Sequence, residues 1–162
     1  PNWQKRLWVQ MHAKHDESAT IARKEGLLVH DLLAEVSSTM DTSAVVTDAL
    51  HSGKINKDEY DYYLQMVNDI VNHPQLSPFY QEDIEVYNEK DILIPQKSFI
   101  RPDRVVKNKN GWVIIDYKTG KEYPRHSTQI KHYAQVLEEM TLEKSKCFLV
   151  YIGKKTLVKT VA

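Results

Sequence analysis

The spacing of hydrophobic and polar positions divides the chain into a helical first half and a strand-rich second half. In the first half apolar residues recur every three or four positions, which is the period of an amphipathic helix. Asp or Asn before such runs, and Gly or Pro after them, mark where helices begin and end. The pattern predicts helices over Asn2–Lys14, about Ser18 to Ser37, Thr42–His51 with Asp41 as N-cap, and from the N-cap Asn56 through Val71.

The second half carries the alternating pattern and apolar runs of β-strands. Helices followed by three strands, a helix and a further strand predict an α/β fold, with a central mixed sheet of about four to five strands flanked by helices. We expect one domain over residues 1–162, with 1–80 mainly helical and 81–162 forming the sheet core. Strands are predicted over Ile84–Ile94, Phe99–Lys107, Trp112–Lys118, Lys146–Ile152 and, as an edge strand, Thr156–Val161, and a helix over Ser127–Met140.

The most informative local feature is the turn between the second and third predicted strands. The sequence Asn108-Lys109-Asn110-Gly111 is typical of a hairpin turn. If its two central residues form the tip, pairing outward places Asp103 directly opposite Asp116. Side chains alternate along a strand, so Lys118 lies on the same face as Asp116. Two facing carboxylates repel each other, and we therefore predict a divalent cation between them.

Asp103, Asp116 and Lys118 indicate hydrolytic chemistry. Carboxylates are hard oxygen ligands suited to Mg²⁺ or Mn²⁺, and such an ion can activate a water and polarise a phosphoryl oxygen. A lysine beside it can hold or deprotonate the attacking water and offset developing negative charge. The alternative is an Asp–Lys salt bridge on an exposed sheet, since an Asp-x-Lys pattern is common by chance. The facing Asp103 and the preceding Arg101-Pro102 favour the functional interpretation.

Composition narrows the class of protein. The chain has 162 residues, 41% hydrophobic and 27% charged, as soluble globular proteins do. It has no apolar run of the roughly 18 residues that a membrane span needs, so we expect no membrane association. The single cysteine, Cys147, excludes an internal disulfide, a thiolate zinc site and a cysteine-ligated iron–sulfur cluster. A reducing, cytoplasmic setting fits best.

The net charge is zero, but the charges are unevenly distributed. Residues 31–91 contain 13 acidic and 3 basic side chains, whereas residues 95–135 contain 9 basic and 3 acidic ones. The basic segment includes the predicted hairpin, so its field could attract a polyanion. The alternative is that these charges only solvate strand edges and a helix face.

The residues of this hairpin resemble a known family. Pro102-Asp103 and, after a short spacer, Ile115-Asp116-Tyr117-Lys118-Thr119-Gly120 resemble the PD-(D/E)-x-K nuclease superfamily. They are most similar to the RecB-like exonuclease domain at the C-terminal end of helicase–nucleases of the RecB, AddA and UvrD kinds. Further matching segments follow in family order at residues 26–30, 88–93 and 129–133. The resemblance implies a restriction-endonuclease-like core with a helical region before it.

Carried over by position, the resemblance implies a metal site. His30, Asp103 and Asp116 would be ligands of Mg²⁺ or Mn²⁺, together with the backbone carbonyl of Tyr117, and Lys118 would be the catalytic lysine. For His30 the alternative is a hydrogen-bonded core histidine beside the apolar stripe of its helix. Neutral imidazole is softer than Mg²⁺ prefers, which favours support by Mn²⁺.

The resemblance also implies residues around this site. Glu89 would be an additional catalytic acid, although Glu85 shares its strand parity and register would decide which one points inward. Gln129 and Tyr133 fall four apart on one helix face and would brace the site or contact DNA, while Tyr133 also suits a core position. The candidate substrate-binding residues are Gln129, Tyr133, Arg101 and Arg125, and His126 beside Arg125 is either a further phosphate contact or a surface residue.

These observations predict a metal-dependent deoxyribonuclease that hydrolyses phosphodiester bonds in the manner of an exonuclease. It would act on single-stranded DNA or duplex ends in DNA repair or recombination, in the cytoplasm of a bacterium. No Walker-type loop is present, so the helicase part of the same polypeptide or complex would be its partner. The alternatives are a catalytically silent nuclease-fold module that binds DNA or subunits, and a stand-alone restriction-type endonuclease, for which the acidic helical front is a poor groove binder.

Overall fold

The computed structural model describes residues 17–94, 98–153 and 155–162, and within them the chain forms helices α1–α4 and strands β1–β7. The helix predicted over Asn2–Lys14 lies outside the described residues. The helices are α1 (Glu17–Glu35), α2 (Thr42–His51), α3 (Lys57–Val71) and α4 (Pro124–Thr141), with short 3-10 turns at Thr39–Asp41 and Ser77–Phe79. The strands are β1 (Glu85–Asn88), β2 (Ile92–Ile94), β3 (Ser98–Ile100), β4 (Arg104–Asn108), β5 (Gly111–Thr119), β6 (Ser145–Ile152) and β7 (Leu157–Val161). No described helix has both the length and the apolar character needed to cross a membrane.

A polar side chain that bonds a free amide of the first turn explains where α3 begins. At α3, Asn56 Oδ1 accepts a hydrogen bond from Glu59 N at 3.0 Å and Glu59 Oε2 accepts one from Asn56 N at 2.9 Å, which confirms the predicted cap. Asp41 occupies the predicted position before α2, but its carboxylate accepts from Ser38 N at 2.7 Å and makes no bond to α2. Asp41 is therefore the N-cap residue of α2 by position, as predicted, but its side chain stabilises the preceding 3-10 turn and not α2.

The central sheet is mixed and has five strands in the order β1-β4-β5-β6-β7. The β5–β6 pair is parallel, joined through α4, and the other pairs are antiparallel. One face packs on α1, α2 and α3 and the other on α4, so that two hydrophobic layers sandwich the sheet. This architecture confirms the predicted fold class, and β7 is the predicted edge strand.

Alternation along β5 assigns its side chains to the two layers. Ile115 and Tyr117 belong to the layer on α1–α3, whereas Ile114 belongs to the layer on α4. Asp116 and Lys118 have the parity of Ile114 and therefore face α4. The common face predicted for these two residues is thus confirmed.

The hairpin of β4 and β5 has the predicted register. Its ladder begins with Asn108 opposite Gly111 and ends at Arg104. Asn108 Oδ1 accepts a hydrogen bond from the amide of the tip residue Asn110 at 2.8 Å, as expected for an Asx-type turn. Continued by one step, this register brings Asp103 opposite Asp116, although the chain leaves the ladder at that point.

Two strands predicted as continuous are interrupted, and both breaks occur beside Asp103. The run Ile84–Ile94 divides at Glu89, which has a positive φ of 49° and ends β1. The run Phe99–Lys107 divides at residues 101–103, where Pro102 has no amide hydrogen for a ladder. The outer pieces, β2 and β3, pair with each other in a separate two-stranded sheet.

Candidate active site

Asp103 joins three elements at the open end of the β4–β5 hairpin. Its Oδ1 lies 3.4 Å from His30 Nδ1 on α1, and its Oδ2 accepts a hydrogen bond from Tyr117 N on β5 at 2.7 Å. Its backbone oxygen accepts a hydrogen bond from Glu89 N at 2.9 Å. Residues that are far apart in sequence therefore meet at one residue, Asp103.

His30, Glu89 and Asp103 form a cluster of potential metal ligands. One ligand atom from each residue lies within 4.8 Å of those of the other two. One imidazole nitrogen and two carboxylates are a donor set compatible with Mn²⁺ or Mg²⁺. The structure thus brings together two of the predicted ligands, His30 and Asp103, and adds the predicted additional acid Glu89.

The choice between Glu89 and Glu85 is decided by a backbone turn and not by strand parity. Glu85 is exposed on β1, and its carboxylate accepts a hydrogen bond from the Tyr87 hydroxyl. Glu89 lies just beyond β1 in a left-handed conformation with φ 49°, which directs the chain toward Asp103. Non-glycine residues seldom adopt this conformation, and such strain is often found at functional sites.

Asp116 lies deeper than the three-residue cluster and outside it. Its side chain is almost fully buried, and Oδ2 lies 2.5 Å from Lys118 Nζ. That contact is close but poorly directed, because the buried Oδ2 accepts no well-aligned hydrogen bond from any described residue. A buried carboxylate oxygen whose ammonium contact is poorly aligned is the kind of atom that a metal cation would satisfy. The role of Asp116 as a ligand stays a prediction, as does that of the Tyr117 carbonyl.

The electrostatics of the site favour an added positive charge. Burial raises the pKa of Asp116 to about 6, and the charge of Asp103 adds to the rise, while Lys118 and His30 oppose it. Burial and the charge of Asp103 likewise raise the pKa of Glu89. The pKa of His30 is raised chiefly by its hydrogen bond with Asp103. A divalent cation between these carboxylates would relieve their mutual repulsion and keep them ionised.

A hydrogen-bonded chain on the α4 side orients Lys118. Lys118 Nζ donates to Gln129 Oε1 at 2.9 Å, and Gln129 Nε2 donates to the Tyr133 hydroxyl at 2.8 Å. Tyr133 is also a buried member of the α4 layer. Gln129 and Tyr133 therefore share a helix face and connect to the predicted catalytic lysine, while contact with DNA stays a prediction for both.

The two predicted arginines lie at the periphery. Arg101 forms a bidentate pair with Asp91, with nitrogen–oxygen distances of 2.6 and 3.0 Å. Arg125 is exposed at the start of α4, with its guanidinium 4.8 Å from the centre of the Tyr123 ring. His126, for which a surface position was one of the two interpretations, is instead buried, and its Nδ1 is 3.1 Å from the Tyr151 hydroxyl. Substrate binding by Arg101 and Arg125 stays a prediction.

Sequence reasoning missed Arg104, a fully buried arginine that ties the site's elements together. Its guanidinium lies 3.9 Å from the centre of the Tyr80 ring. Strand alternation was the signal that could have found it, because Arg104 has the parity of the buried Val106 on β4. The acceptors of its four hydrogen bonds are Val36 O (2.7 Å), Ser37 O (2.7 Å), Phe79 O (2.9 Å) and Asn88 Oδ1 (3.1 Å).

Gly26 allows α1 to approach the end of β5. A Cβ atom at Gly26 would lie 2.7 Å from Thr119 Oγ1, closer than side chains normally pack. The glycine precedes His30 by about one helical turn, so this close approach helps place the imidazole at Asp103. Beside it is a cavity of about 560 Å³, lined by Gly26, Leu27, His30, Asp31, Glu89 and Thr119.

Comparisons with known proteins give one family match. A family model described as the PD-(D/E)XK nuclease superfamily matches residues 4–161. No match to a curated protein was found. Among solved structures, the chain is similar to the one described as "Crystal structure of SSO0001", with 16% identity over 83% of this chain and 75% of that chain. The TM-score of that pair is 0.37, which is too low to establish a common fold.

Proposed function

Because the chain belongs to the PD-(D/E)XK nuclease superfamily, we propose that it is a Mg²⁺- or Mn²⁺-dependent deoxyribonuclease that hydrolyses phosphodiester bonds. Members of this superfamily are typically metal-dependent nucleases. The observation that carries the proposal is the convergence of His30, Glu89 and Asp103 within 4.8 Å of one another, beside the Asp116–Lys118 pair.

The donor atoms indicate which residues would hold the cation. His30, Glu89 and Asp103 would hold the cation, with Asp116, whose carboxylate lies beside Lys118, completing the set. When bound, a divalent cation supplies Lewis acidity toward the phosphoryl oxygen and toward a water.

Lys118 is the proposed catalytic residue that acts on the nucleophile. Gln129 Oε1 accepts a hydrogen bond from Lys118 Nζ, and Asp116 lies on the other side of the ammonium, so the ammonium is held at a defined position. From there Nζ can hold the attacking water and offset the negative charge that builds on the phosphoryl oxygens. Gln129, fixed in turn by Tyr133, is a positioning residue.

The wider context of this activity is also a proposal. We propose that the domain is a RecB-like exonuclease module of a helicase–nuclease, acting on single-stranded DNA or duplex ends in repair or recombination. The motifs quoted above support this, and so does the basic segment 95–135, which contains Asp103 and Asp116. A catalytically silent module is disfavoured, because both aspartates and the lysine are present and lie together.

The activity is tested with labelled single-stranded DNA in Mg²⁺ or Mn²⁺, beside a sample in EDTA. Asp116→Ala and Lys118→Ala should abolish cleavage, whereas Lys121→Ala, which removes an exposed lysine three positions later, should not. Cleavage that persists in EDTA or in both site variants would refute the proposal. Absence of cleavage by the unaltered protein in either metal would do so as well.

The metal site is tested by calorimetric titration with Mn²⁺. Glu89→Gln and Asp103→Ala should each weaken binding by at least about tenfold, since even residues that only orient ligands have effects of that size. Glu85→Gln is the matched control, because it removes an equivalent charge from the same segment outside the cluster. Equal affinities of the Glu85 and Glu89 variants would show that the cluster does not bind the ion.

A further inference from the structure

A second cavity opens on the opposite face of the end of β5. Its volume is about 470 Å³ and it is lined by Lys118, Arg125, His126 and Gln129. Neighbouring residues on a strand point to opposite faces, so Thr119 lines the cavity near His30 while Lys118 lines this one. The reacting centre therefore lies between two cavities of different charge.

The lining of this cavity is cationic. Lys118 and Arg125 contribute two positive charges, and none of the acidic side chains that the structure describes lines it. Glu122, the acid that precedes α4 most closely, is paired with Lys159. By contrast, Asp31 and Glu89 line the other cavity, which would repel a phosphate unless a cation were bound there.

The N-terminus of α4 adds its helix dipole and the amide of Arg125 beside the same cavity. Arg125 and His126 belong to the first turn of this 18-residue helix. That turn has no acidic residue, and its N-cap, Tyr123, provides no side-chain hydrogen bond to the amides. Pro124 has no amide hydrogen and His126 N donates to Tyr123 O at 3.0 Å, so Arg125 is the one residue of these three whose amide is left for an anion. The positive end of the helix dipole also attracts anions.

His126 is held so that one ring nitrogen can serve a ligand. The side chain is 7% exposed, and its Nδ1 lies 3.1 Å from the Tyr151 hydroxyl. Burial lowers the pKa of His126, as do the charges of Lys118 and Arg125, which favours the neutral ring. If Tyr151 donates to Nδ1, the proton is on Nε2, which can then donate to an anion in the cavity.

We propose that this cavity is a phosphate subsite, in which Arg125, His126 and the first turn of α4 bind a phosphate of the nucleic-acid strand next to the scissile one. The proposal rests on the proposed nuclease function. Arginine suits the task because its planar fork can donate two parallel hydrogen bonds to phosphate oxygens. Lys118 lines the cavity and also contacts Asp116, so a phosphate bound here lies beside the reacting centre.

The test is equilibrium binding of a fluorescent single-stranded oligonucleotide, measured by anisotropy in EDTA so that turnover does not contribute. Arg125→Ala should weaken binding on the order of tenfold at low salt, as for a lost charged hydrogen bond. The slope of log affinity against log salt should fall by about 1. Arg125→Lys, which keeps the charge but lacks the planar fork, should restore the salt slope but only part of the affinity. Lys131→Ala is the matched control, since it removes one charge from the same helix away from this cavity.

Three forms of the oligonucleotide distinguish the source of the phosphate. If Arg125→Ala loses affinity only for 5′- or 3′-phosphorylated linear strands, the bound group is a terminal monophosphate. If it loses affinity equally for a closed circle, the bound group is an internal phosphodiester. Binding of all three forms by Arg125→Ala with the affinity of Lys131→Ala would overturn the subsite. Because binding is measured without turnover, that result is distinct from a failure of the nuclease proposal, which would appear as absent cleavage.

Discussion

Replacing Arg104 by methionine tests whether one buried guanidinium holds the site's elements together. The substitution keeps most of the side-chain volume and removes every donor. Ser37 O, Phe79 O and Asn88 Oδ1 lose their bonds, while Val36 O keeps a 3.3 Å bond from Asn88 Nδ2. Three lost acceptor bonds cost about 1 kcal/mol each, and the lost contact with the Tyr80 ring adds about 1 kcal/mol. Methionine also avoids the cost of burying an unpaired charge, which offsets part of this destabilisation. We therefore expect a net loss of roughly 3 kcal/mol of unfolding free energy.

The assay is urea unfolding of the metal-free protein followed by circular dichroism. With a slope of about 2 kcal/mol/M, a loss of this size moves the midpoint by about 1.5 M. Lys107→Met is the control, because Lys107 is on the same strand, 4.9 Å from the Trp112 ring, and pairs with Glu143 at the surface. Exposed pairs contribute less than about 1 kcal/mol. If Arg104→Met were no more destabilising than Lys107→Met, the structural role assigned to Arg104 would be wrong.

Arg104 should also affect metal binding. It bonds the carbonyls after α1, which carries His30, and the Asn88 side chain beside Glu89. Folded Arg104→Met protein should therefore bind Mn²⁺ more weakly than Lys107→Met protein in the same titration. Unchanged affinity would show that the cluster keeps its geometry without this arginine.

Five further substitutions test the site's chemistry and packing. Asp116→Asn should abolish cleavage, yet it should stabilise the metal-free protein above pH 6 by on the order of 1–3 kcal/mol. The reason is that the pKa of Asp116 is raised to about 6, so the contribution of this carboxyl to stability is lost as pH rises from about 4 to 6. Thermal unfolding in EDTA at pH 5 and 7.5 measures the difference in stability. Gly26→Ala should destabilise the fold, because the added Cβ would clash with Thr119. In a double-mutant cycle, Gly26→Ala should cost at least about 0.5 kcal/mol less unfolding free energy when Thr119 is also replaced by alanine. Gln129→Leu should lower the cleavage rate about tenfold, as expected when a catalytic group is mispositioned, whereas Tyr133→Phe should mainly cost about 1 kcal/mol of unfolding free energy.

Three results would contradict these predictions about Asp116, the Gly26–Thr119 contact and Gln129. An Asp116→Asn protein less stable than the unaltered one at pH 7.5 would mean that this carboxylate is favoured by its surroundings in the ionised form. Independent effects of Gly26→Ala and Thr119→Ala would exclude a close contact between α1 and β5. A Gln129→Leu enzyme with full activity would show that Lys118 needs no support from α4.

The parts of the fold that could be predicted depend on local interactions. Asn56 caps α3 through bonds to a residue three positions away, and the hairpin register follows from a turn of four residues. The α4 pair of Gln129 and Tyr133 meets because positions four apart share a helix face. Predictions were incomplete where another interaction competed with the local pattern. The Asp41 carboxylate bonds Ser38 N instead of the first turn of α2, and two strands break where the chain turns toward Asp103.

Sequence alone was enough to place Asp116 and Lys118 on one face of a strand and Asp103 at the opposing position, because strand alternation and a short turn are local properties. Tertiary structure decided which other donors join them. The docking of α1 through Gly26 places His30 at 3.4 Å from Asp103. The left-handed backbone at residue 89 selects one glutamate over its neighbour, since strand parity no longer applies once β1 has ended. A site assembled from segments more than fifty residues apart depends on helix packing and backbone reversals, which periodicity does not encode.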